Sequence, residues 1–267
     1  MQYLFRKWDY IKRILEGKYL LIFCDYDGTL TPIAETPDKA VIPKNTKELL
    51  EKLSGLSDSK IIIISGRTVK DLKNRIQLKN IIYSGNHGLE INGYGFEFKA
   101  VVSRKYKNVL KIIKNDLVSK LSNINGILLE NKEFSLSVHY RLVNKKDIPS
   151  VKAAINNAVF LYEKNKQIKV KEGKKVFEIM SPIEWDKGKA VLRILRRQRY
   201  LLKKKNVFPI YFGDDNTDED AFNVLGNKGL TIFVGKPRLS KAKYYVKDTK
   251  EVAKTLKYIL GIISKTT

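Results

Sequence analysis

The sequence predicts an α/β protein in which a doubly wound parallel sheet carries an inserted α+β unit. Two observations predict the sheet: short apolar runs recur along the chain, and segments with helical spacing of apolar residues separate them. A third observation, a different order of elements between residues 103 and 181, predicts the insertion. We therefore expect a core domain formed by residues 1–102 and 182–267 and an inserted domain formed by residues 103–181.

The predicted sheet strands are apolar runs bounded by glycine and polar turn residues. Short runs of this kind are typical of strands that are buried on both faces of a parallel sheet. In a doubly wound sheet, ligands bind beyond the carboxyl ends of the strands, so the residues after each run are the ones to examine. The runs lie at 19–24, 60–64, 80–83, 209–212 and 230–234.

Helical segments are predicted between and after these runs. In the segment 187–202, for example, Val191, Ile194 and Leu195 can share one apolar face at helical spacing. The same reasoning gives the other core helices. They are predicted at 46–53, 68–76 and 250–262.

The inserted unit is predicted to contain two helices and several pairing strands. Residues 134–142 read as a strand because Phe134, Leu136 and Val138 alternate with polar residues. Two helices with such strands suffice for a small α+β unit. The helices are predicted at 104–121 and 150–165, and the other strands at 127–129, 168–171 and 175–179.

Composition limits the class of protein. No apolar stretch approaches the roughly 18 residues of a membrane span, and the N-terminus lacks the order of a signal peptide, so we expect a cytoplasmic protein without membrane contact. The only cysteine, Cys24, lies in the first apolar run and is expected to be a buried hydrophobe. It excludes an intramolecular disulfide and a cysteine metal cluster.

The chain is strongly basic, with 52 Lys and Arg against 28 Asp and Glu and a net charge of +24. Such charge could attract nucleic acid, but the lysines are dispersed. The densest basic clusters, at 193–199 and 203–205, are short, which favours a solvated face. A basic field would also concentrate anionic substrates such as sugar phosphates.

Acidic residues follow two of the predicted strands. Asp25 and Asp27, at the end of the first, point the same way because they are two residues apart in extended chain. Such a pair can hold Mg²⁺ through oxygen ligands, or one acid can attack while the other moves a proton. A strand-to-turn junction is the alternative. The acidic run at 214–220 exceeds what a helix cap explains, so a cation or bound positive groups are expected to offset its charge.

Four motifs, in order and on the expected elements, resemble the haloacid-dehalogenase (HAD) superfamily of phosphotransferases. They are DYDGT at 25–29, Ser65, Lys187 and Gly-Asp-Asp at 213–215. The resemblance implies a HAD-like, Rossmannoid core whose insert is a cap domain. It implies that Asp25 attacks phosphorus and forms an aspartyl-phosphate, while Asp27 protonates the leaving oxygen and later deprotonates water. Ser65 and Lys187 would stabilise the transferring phosphoryl group.

The HAD resemblance also implies a magnesium site. Asp25, the backbone carbonyl of Asp27, and Asp214 would hold Mg²⁺. Asp215 and Asp218 would orient the site. These roles agree with the chemistry, because phosphoryl transfer depends mostly on positioning and charge neutralisation.

Longer stretches are similar to the trehalose-6-phosphate phosphatase family. They are 25–33 (DYDGTLTPI), 65–67 (SGR), 85–88 (GNHG), 213–220 (GDDNTDED) and, in the insert, 130–132 (ENK), 137–141 (SVHYR) and 177–179 (FEI). This resemblance implies that cap residues recognise glucose hydroxyls, to which carboxylates and amines offer strong hydrogen bonds. The implied substrate-binding residues are Glu130, Lys132, Glu178 and Arg141 in the cap, with Arg67 and His87 in the core.

Several of these residues also have a plain structural explanation. Ser65 fits a turn, and Lys187 could be one more surface lysine. Glu130 and Lys132 could form an exposed pair beside a turn. His139 lies in an alternating strand and is predicted to be structural.

The sequence therefore leads to a Mg²⁺-dependent phosphatase that releases trehalose and inorganic phosphate from trehalose 6-phosphate in trehalose biosynthesis. A related capped phosphatase acting on sucrose phosphate, mannosylglycerate phosphate or a hexose phosphate is the alternative. A basic nucleic-acid-binding protein on a phosphatase scaffold would require lost catalytic residues, and none is missing. At 267 residues we expect a companion trehalose-6-phosphate synthase to be a separate chain.

Overall fold

The computed structural model describes residues 1–203 and 206–264, which form two compact units. The core unit comprises Met1–Lys99 and the chain from Trp185 onward, and the insert unit is Ala100–Glu184. The predicted insert, residues 103–181, is three residues shorter at each end than the insert unit of the structure. Lys204 and Lys205, which belong to one of the predicted basic clusters, lie outside the described residues.

The strands and helices of the described residues are numbered along the chain. The strands are β1 (Gln2–Tyr3), β2 (Tyr19–Asp25), β3 (Ser59–Ile64), β4 (Ile82–Gly85), β5 (Glu90–Gly93), β6 (Phe96–Lys99), β7 (Leu128–Asn131), β8 (Ser135–His139), β9 (Lys169–Gly173), β10 (Val176–Met180), β11 (Val207–Gly213), β12 (Leu230–Val234) and β13 (Tyr244–Val246). The helices are α1 (Trp8–Leu15), α2 (Lys44–Ser54), α3 (Val69–Ile76), α4 (Arg104–Leu121), α5 (Ile148–Lys164), α6 (Lys187–Leu202), α7 (Asp218–Leu225) and α8 (Thr249–Ile263).

The core unit is built on a nine-stranded sheet with the order β1-β13-β12-β11-β2-β3-β4-β5-β6. Neighbouring strands from β1 to β4 pair in parallel, whereas β5 and β6 extend the edge in antiparallel pairing. Strand β2 lies between β3 and β11, so the ends of these three strands are neighbours. The predicted doubly wound α/β sheet is confirmed, and it is mixed at one edge.

Both faces of the central strands are buried, which explains their continuous apolar sequence. In β2, Leu20 and Ile22 pack with helices α1, α2, α3 and α8 on one face. Leu21 and Phe23 pack with α6 and α7 on the other face. Each such side chain contributes about 1.5–3 kcal/mol by leaving water. Cys24 is fully buried, as predicted.

Some core elements are missing from the sequence prediction. The hairpin of β5 and β6 is only partly buried, so it shows no continuous apolar run. Its turn depends on Gly93 and Gly95, both at positive φ. The edge strands β1 and β13 have two and three residues, too few for a recognisable pattern.

The insert unit is an antiparallel sheet of order β7-β8-β10-β9 with two helices packed on one face. Alternation in β8 turns Leu136 and Val138 toward α4 and α5. Ser135, Ser137 and His139 therefore belong to the opposite face. Helix α4 has the predicted bounds, and β8 ends three residues earlier than predicted.

None of the helices in the described part of the chain combines the length and apolar character that a bilayer crossing requires.

Candidate active site

Polar residues lie at the carboxyl ends of neighbouring strands of the core sheet. Strand β2 ends at Asp25, and Ser65 follows β3. Strand β11 ends at Gly213 and is followed by Asp214. Because these strands are parallel neighbours, their carboxyl ends meet, as ligand sites of doubly wound sheets require.

Lys187 is the central positive charge among the polar residues at these strand ends. Its Nζ lies 2.8 Å from Asp25 Oδ1 and 2.8 Å from Asp218 Oδ1. The lysine is the first residue of α6, and the preceding Asp186 caps this helix by accepting from the Lys189 N–H. Lys187 and both carboxylates are buried. Removing Lys187 would leave two carboxylates in the interior without their cation.

Asp218 is fully buried and holds the site together through hydrogen bonds. Its Oδ1 accepts from Lys187 Nζ and from the Tyr211 hydroxyl at 2.8 Å. Its Oδ2 accepts from the backbone N–H groups of Asp214 and Asp215, at 3.0 and 3.1 Å. Each oxygen thus accepts two hydrogen bonds, which fits a residue that orients the site rather than one that binds a ligand.

Carboxylates outnumber cations in this part of the described structure. Asp25, Asp214 and Asp218 offer oxygens within 4.8 Å of one another. Burial and the nearby carboxylates raise the pKa of Asp25 well above its ordinary value, against the opposing charge of Lys187. Burial lowers the pKa of Lys187, but the surrounding carboxylates outweigh it and raise this pKa overall. Oxygen ligands with excess negative charge suit a hard divalent cation.

Gly28 makes room for Asp214. It has a φ of +85°, and a Cβ at this position would collide with the Asp214 carboxylate. The turn after β2 therefore needs glycine for its conformation and for the close approach of this carboxylate.

Asp215 is held by the turn that follows it. Its Oδ1 accepts from the backbone N–H and the hydroxyl of Thr217, both at 2.7 Å. Burial raises the pKa of Asp215, but the charge of Lys187 and the Thr217 hydrogen bonds outweigh this and lower it overall. Asp215 is therefore a fixed negative charge.

Asp27 forms a two-point ion pair with Arg67. Nε and Nη2 of Arg67 donate to the two oxygens of Asp27, each at 2.7 Å. The Asp27 side chain remains 41% exposed, so it is accessible from solvent, whereas the Arg67 side chain is 9% exposed. We expected Arg67 to bind substrate, and the structure places its guanidinium against protein groups.

The loops after β3 and β4 are joined by backbone hydrogen bonds. The N–H groups of Asn86 and His87 donate to the carbonyls of Arg67 and Ser65, at 2.7 and 2.9 Å. Asn86 and His87 both have positive φ, a costly conformation for residues other than glycine. A Cβ at Gly66 would collide with the His87 ring. His87 therefore lies directly beside the Ser65 loop.

In the insert unit, three predicted sugar-binding residues lie together. Lys132 Nζ is 3.6 Å from Glu130 Oε2 and 3.7 Å from Glu178 Oε1. Ser137 is the cross-strand partner of both glutamates. Glu130, Ser137 and Glu178 therefore form one row across the sheet, on the face opposite α4 and α5. We call Glu130, Lys132 and Glu178 the insert cluster.

The insert cluster includes contacts that the sequence did not indicate. His139 Nε2 lies 3.1 Å from Glu130 Oε2, and Ser135 donates to Glu178 at 3.4 Å. The alternation of apolar and polar residues in 134–140 could have indicated these contacts, because the polar residues of such a strand share one face. Arg141 is exposed and donates to the Lys174 carbonyl at 2.6 Å, in the turn between β9 and β10.

Comparisons with known proteins show which family the sequence is similar to. The profile of the family described as Trehalose-phosphatase matches residues 23–251. Trehalose-phosphate phosphatase B of Arabidopsis thaliana is 35% identical over 97% of this chain and 71% of its own length.

Solved structures agree as well. The C-terminal domain of C. albicans trehalose-6-phosphate phosphatase has a TM-score of 0.82 at 23% identity, covering 98% of this chain and 99% of that one. A haloacid dehalogenase-like hydrolase from Bacteroides thetaiotaomicron has a TM-score of 0.62 at 17% identity, over 91% of this chain and 100% of that one. These likenesses confirm the predicted HAD-like fold.

The hydrogen bonds of Asp218 predict a large loss of stability on truncation. Asp218→Ala should lower the free energy of unfolding by about 3–5 kcal/mol, because four donors lose an acceptor: Lys187 Nζ, the Tyr211 hydroxyl and the N–H groups of Asp214 and Asp215. Asp215→Ala, which removes the Thr217 contacts and one negative charge near Lys187 but no hydrogen bond to Lys187 or Tyr211, should cost about 1–2 kcal/mol. Urea unfolding of both variants measures the difference. Equal losses would contradict the role assigned to Asp218.

Proposed function

The chain belongs to the trehalose-phosphatase family, and we propose that it is a Mg²⁺-dependent phosphatase that hydrolyses trehalose 6-phosphate through a phosphorylated aspartate. One observation carries the proposal. A buried carboxylate, Asp25, stands at the end of a central strand, ion-paired to Lys187 and surrounded by further acids. This is an arrangement that stabilises a nucleophile and a charged phosphoryl group.

Asp25 is the proposed nucleophile. One of its oxygens attacks phosphorus, the bond to the sugar oxygen breaks, and the phosphoryl group stays on Asp25 as an acyl phosphate. Lys187, 2.8 Å from Asp25, stabilises the charge that spreads over the phosphoryl oxygens. We propose that the Ser65 hydroxyl donates to the same oxygens, because Ser65 follows the neighbouring strand β3.

Asp27 is the proposed general acid and base. Its partly exposed carboxylate lies two residues from Asp25, beyond the end of the strand. In the first step it gives a proton to the leaving sugar oxygen. In the second step it takes a proton from the water that attacks the phosphoryl group on Asp25, which releases inorganic phosphate.

Mg²⁺ fits the acidic cluster around Asp25. We propose Asp25, Asp214 and the backbone carbonyl of Asp27 as its protein ligands. Asp218 is left out because both of its oxygens already accept two hydrogen bonds. Bound Mg²⁺ would supply positive charge that offsets the carboxylates and the phosphoryl oxygens.

We propose that the insert unit recognises the sugar. The insert cluster offers two carboxylates and an ammonium group, which suit the hydroxyls of a disaccharide. In the core unit, His87 is proposed to contact the substrate because it lies beside the Ser65 loop. Arg141 remains a proposed sugar contact, because it is exposed and its bond to the Lys174 carbonyl uses one of its five N–H groups.

The family profile covers most of the core unit and all of the insert unit, and we propose that both units serve phosphate hydrolysis. A trehalose-6-phosphate synthase carried by a separate chain is the proposed source of substrate.

Asp25→Asn should abolish turnover, because a neutral amide is a poor nucleophile and a poor metal ligand. We expect phosphate release from trehalose 6-phosphate to fall by at least about a thousandfold, with a circular dichroism spectrum like that of the wild type. Appreciable phosphate release by this variant would remove Asp25 as the nucleophile.

Asp214→Ala should change the metal requirement as well as the rate. Loss of one carboxylate ligand should raise the Mg²⁺ concentration for half-maximal activity by about tenfold or more, a change worth about 1.4 kcal/mol. Phosphate release measured across a Mg²⁺ series tests this. An unchanged Mg²⁺ requirement would show that the metal is held elsewhere.

Glu130→Ala and Glu178→Ala should affect the sugar substrate selectively. Lost hydrogen bonds to hydroxyls should cost about 1–3 kcal/mol each, which lowers kcat/KM on trehalose 6-phosphate by about tenfold or more. Activity on p-nitrophenyl phosphate should change little, because this ester has no sugar. The matched control is Glu133→Ala, a glutamate of the same unit that pairs with Lys107. Equal losses on both esters would assign the insert cluster to folding or chemistry.

A further inference from the structure

The two hydrogen bonds from Arg67 are the best-defined contacts of Asp27, the proposed acid–base residue. A guanidinium that binds both oxygens of a carboxylate fixes its rotation as well as its position. Nε and Nη2 make these two bonds at 2.7 Å each. Asp27 itself is partly exposed and lies in a turn, so packing alone does not hold its side chain.

Arg67 is itself anchored on several sides. Its Nη1 donates to Asp71 Oδ2 at 2.7 Å, and its Nη2 also donates to the Pro37 carbonyl at 2.9 Å. The guanidinium carbon lies 5.2 Å from the centre of the Tyr26 ring. These contacts, with the two to Asp27, account for four of the five N–H groups of Arg67.

The anchor Asp71 is fixed by the start of helix α3. Thr68 caps this helix by accepting from the Asp71 N–H at 3.1 Å. Asp71 is four residues after Arg67, which brings the two side chains together at helical spacing. The backbone of Arg67 is held as well, because its N–H donates to Ser65 Oγ at 3.2 Å.

We propose that Arg67 is a positioning residue that orients the Asp27 carboxylate for proton transfer, with Asp71 as its anchor. Both oxygens of Asp27 are held on one side, so the opposite side is presented for exchange of a proton with the leaving oxygen or the attacking water. This inference rests on the proposed function, because only an acid–base role gives the orientation of Asp27 a kinetic consequence.

The competing role for Arg67 is direct binding of the substrate phosphate. The two roles differ in how Arg67 depends on Asp27. A positioning residue acts through Asp27 and has no further effect once that carboxylate is gone, whereas a phosphate-binding residue acts independently.

The first test uses two arginines that share one partner. Arg75 also pairs with Asp71, at 2.8 Å, but has no bond to Asp27 among the described contacts. Arg67→Lys keeps the positive charge but cannot bind both oxygens of Asp27 with a planar guanidinium. It should lower kcat on trehalose 6-phosphate by about tenfold or more, while KM changes less than about threefold. Arg75→Lys should leave kcat within about threefold. Equal losses in the two variants would overturn the proposal.

The decisive test is a double-mutant cycle on 2,4-dinitrophenyl phosphate, whose leaving group needs no proton. Asp27→Asn should show a rapid release of about one dinitrophenol per enzyme and then slow turnover, because hydrolysis of the phosphorylated Asp25 lacks its base. Adding Arg67→Met to Asp27→Asn should change neither phase by more than about threefold. A further tenfold loss of the rapid phase would assign Arg67 to the phosphate and overturn the proposal.

Folding and the proposed function are checked separately. Thermal unfolding reports the folded fraction of each variant, and Asp71→Asn, which keeps Arg67 but weakens its anchor, should lower kcat in the same direction as Arg67→Lys. An Asp71→Asn variant with unchanged kcat would remove Asp71 from the proposal. Failure of the wild type to release phosphate from trehalose 6-phosphate would refute the function itself, whereas the outcomes above concern Arg67 alone.

Discussion

The buried ion pair of Lys187 with Asp25 and Asp218 is the interaction on which the site depends. Carboxylates that converge at one end of a sheet repel one another, and burial increases the cost of their charge. Lys187 offsets part of this charge from the first turn of α6, while Asp218 ties the lysine to Tyr211 and to the backbone after β11. The negative charge that remains uncompensated is what a divalent cation would neutralise, and the bound cation would in turn attract a phosphoryl group. Burial and the neighbouring carboxylates raise the pKa of Asp25, and a bound cation would oppose this shift and favour the ionised carboxylate.

The two units carry different parts of the proposed reaction. The core unit supplies nucleophile, acid–base residue and cation site from the ends of parallel strands, where backbone positions are fixed by pairing in a sheet buried on both faces. The insert unit supplies polar side chains on one face of an antiparallel sheet, whose other face is covered by two helices. If the proposed roles hold, substrate preference can change in the insert unit without loss of the chemistry in the core unit.

The central strands and the site motifs could be predicted because their signals are local. Continuous apolar runs marked β2, β3, β11 and β12, and polar residues or glycine stand at or directly after their ends. The β5–β6 hairpin escaped prediction because partly buried edge strands lack that pattern. The partners of Arg67 could not be derived locally either, since Asp27 is 40 residues away and meets it only when β2 and β3 pair. The contact of His139 with Glu130 likewise depends on the pairing of β7 with β8.

The most direct test of this account is to find the phosphorylated residue. Enzyme mixed with trehalose 6-phosphate and Mg²⁺ would be quenched in acid within the first turnover and reduced with borohydride, which converts an aspartyl phosphate to homoserine. Peptide mass spectrometry would then locate the change. The account predicts homoserine at position 25 in the wild type and none in Asp25→Asn. Modification at another residue, or phosphate release without any covalent intermediate, would contradict it.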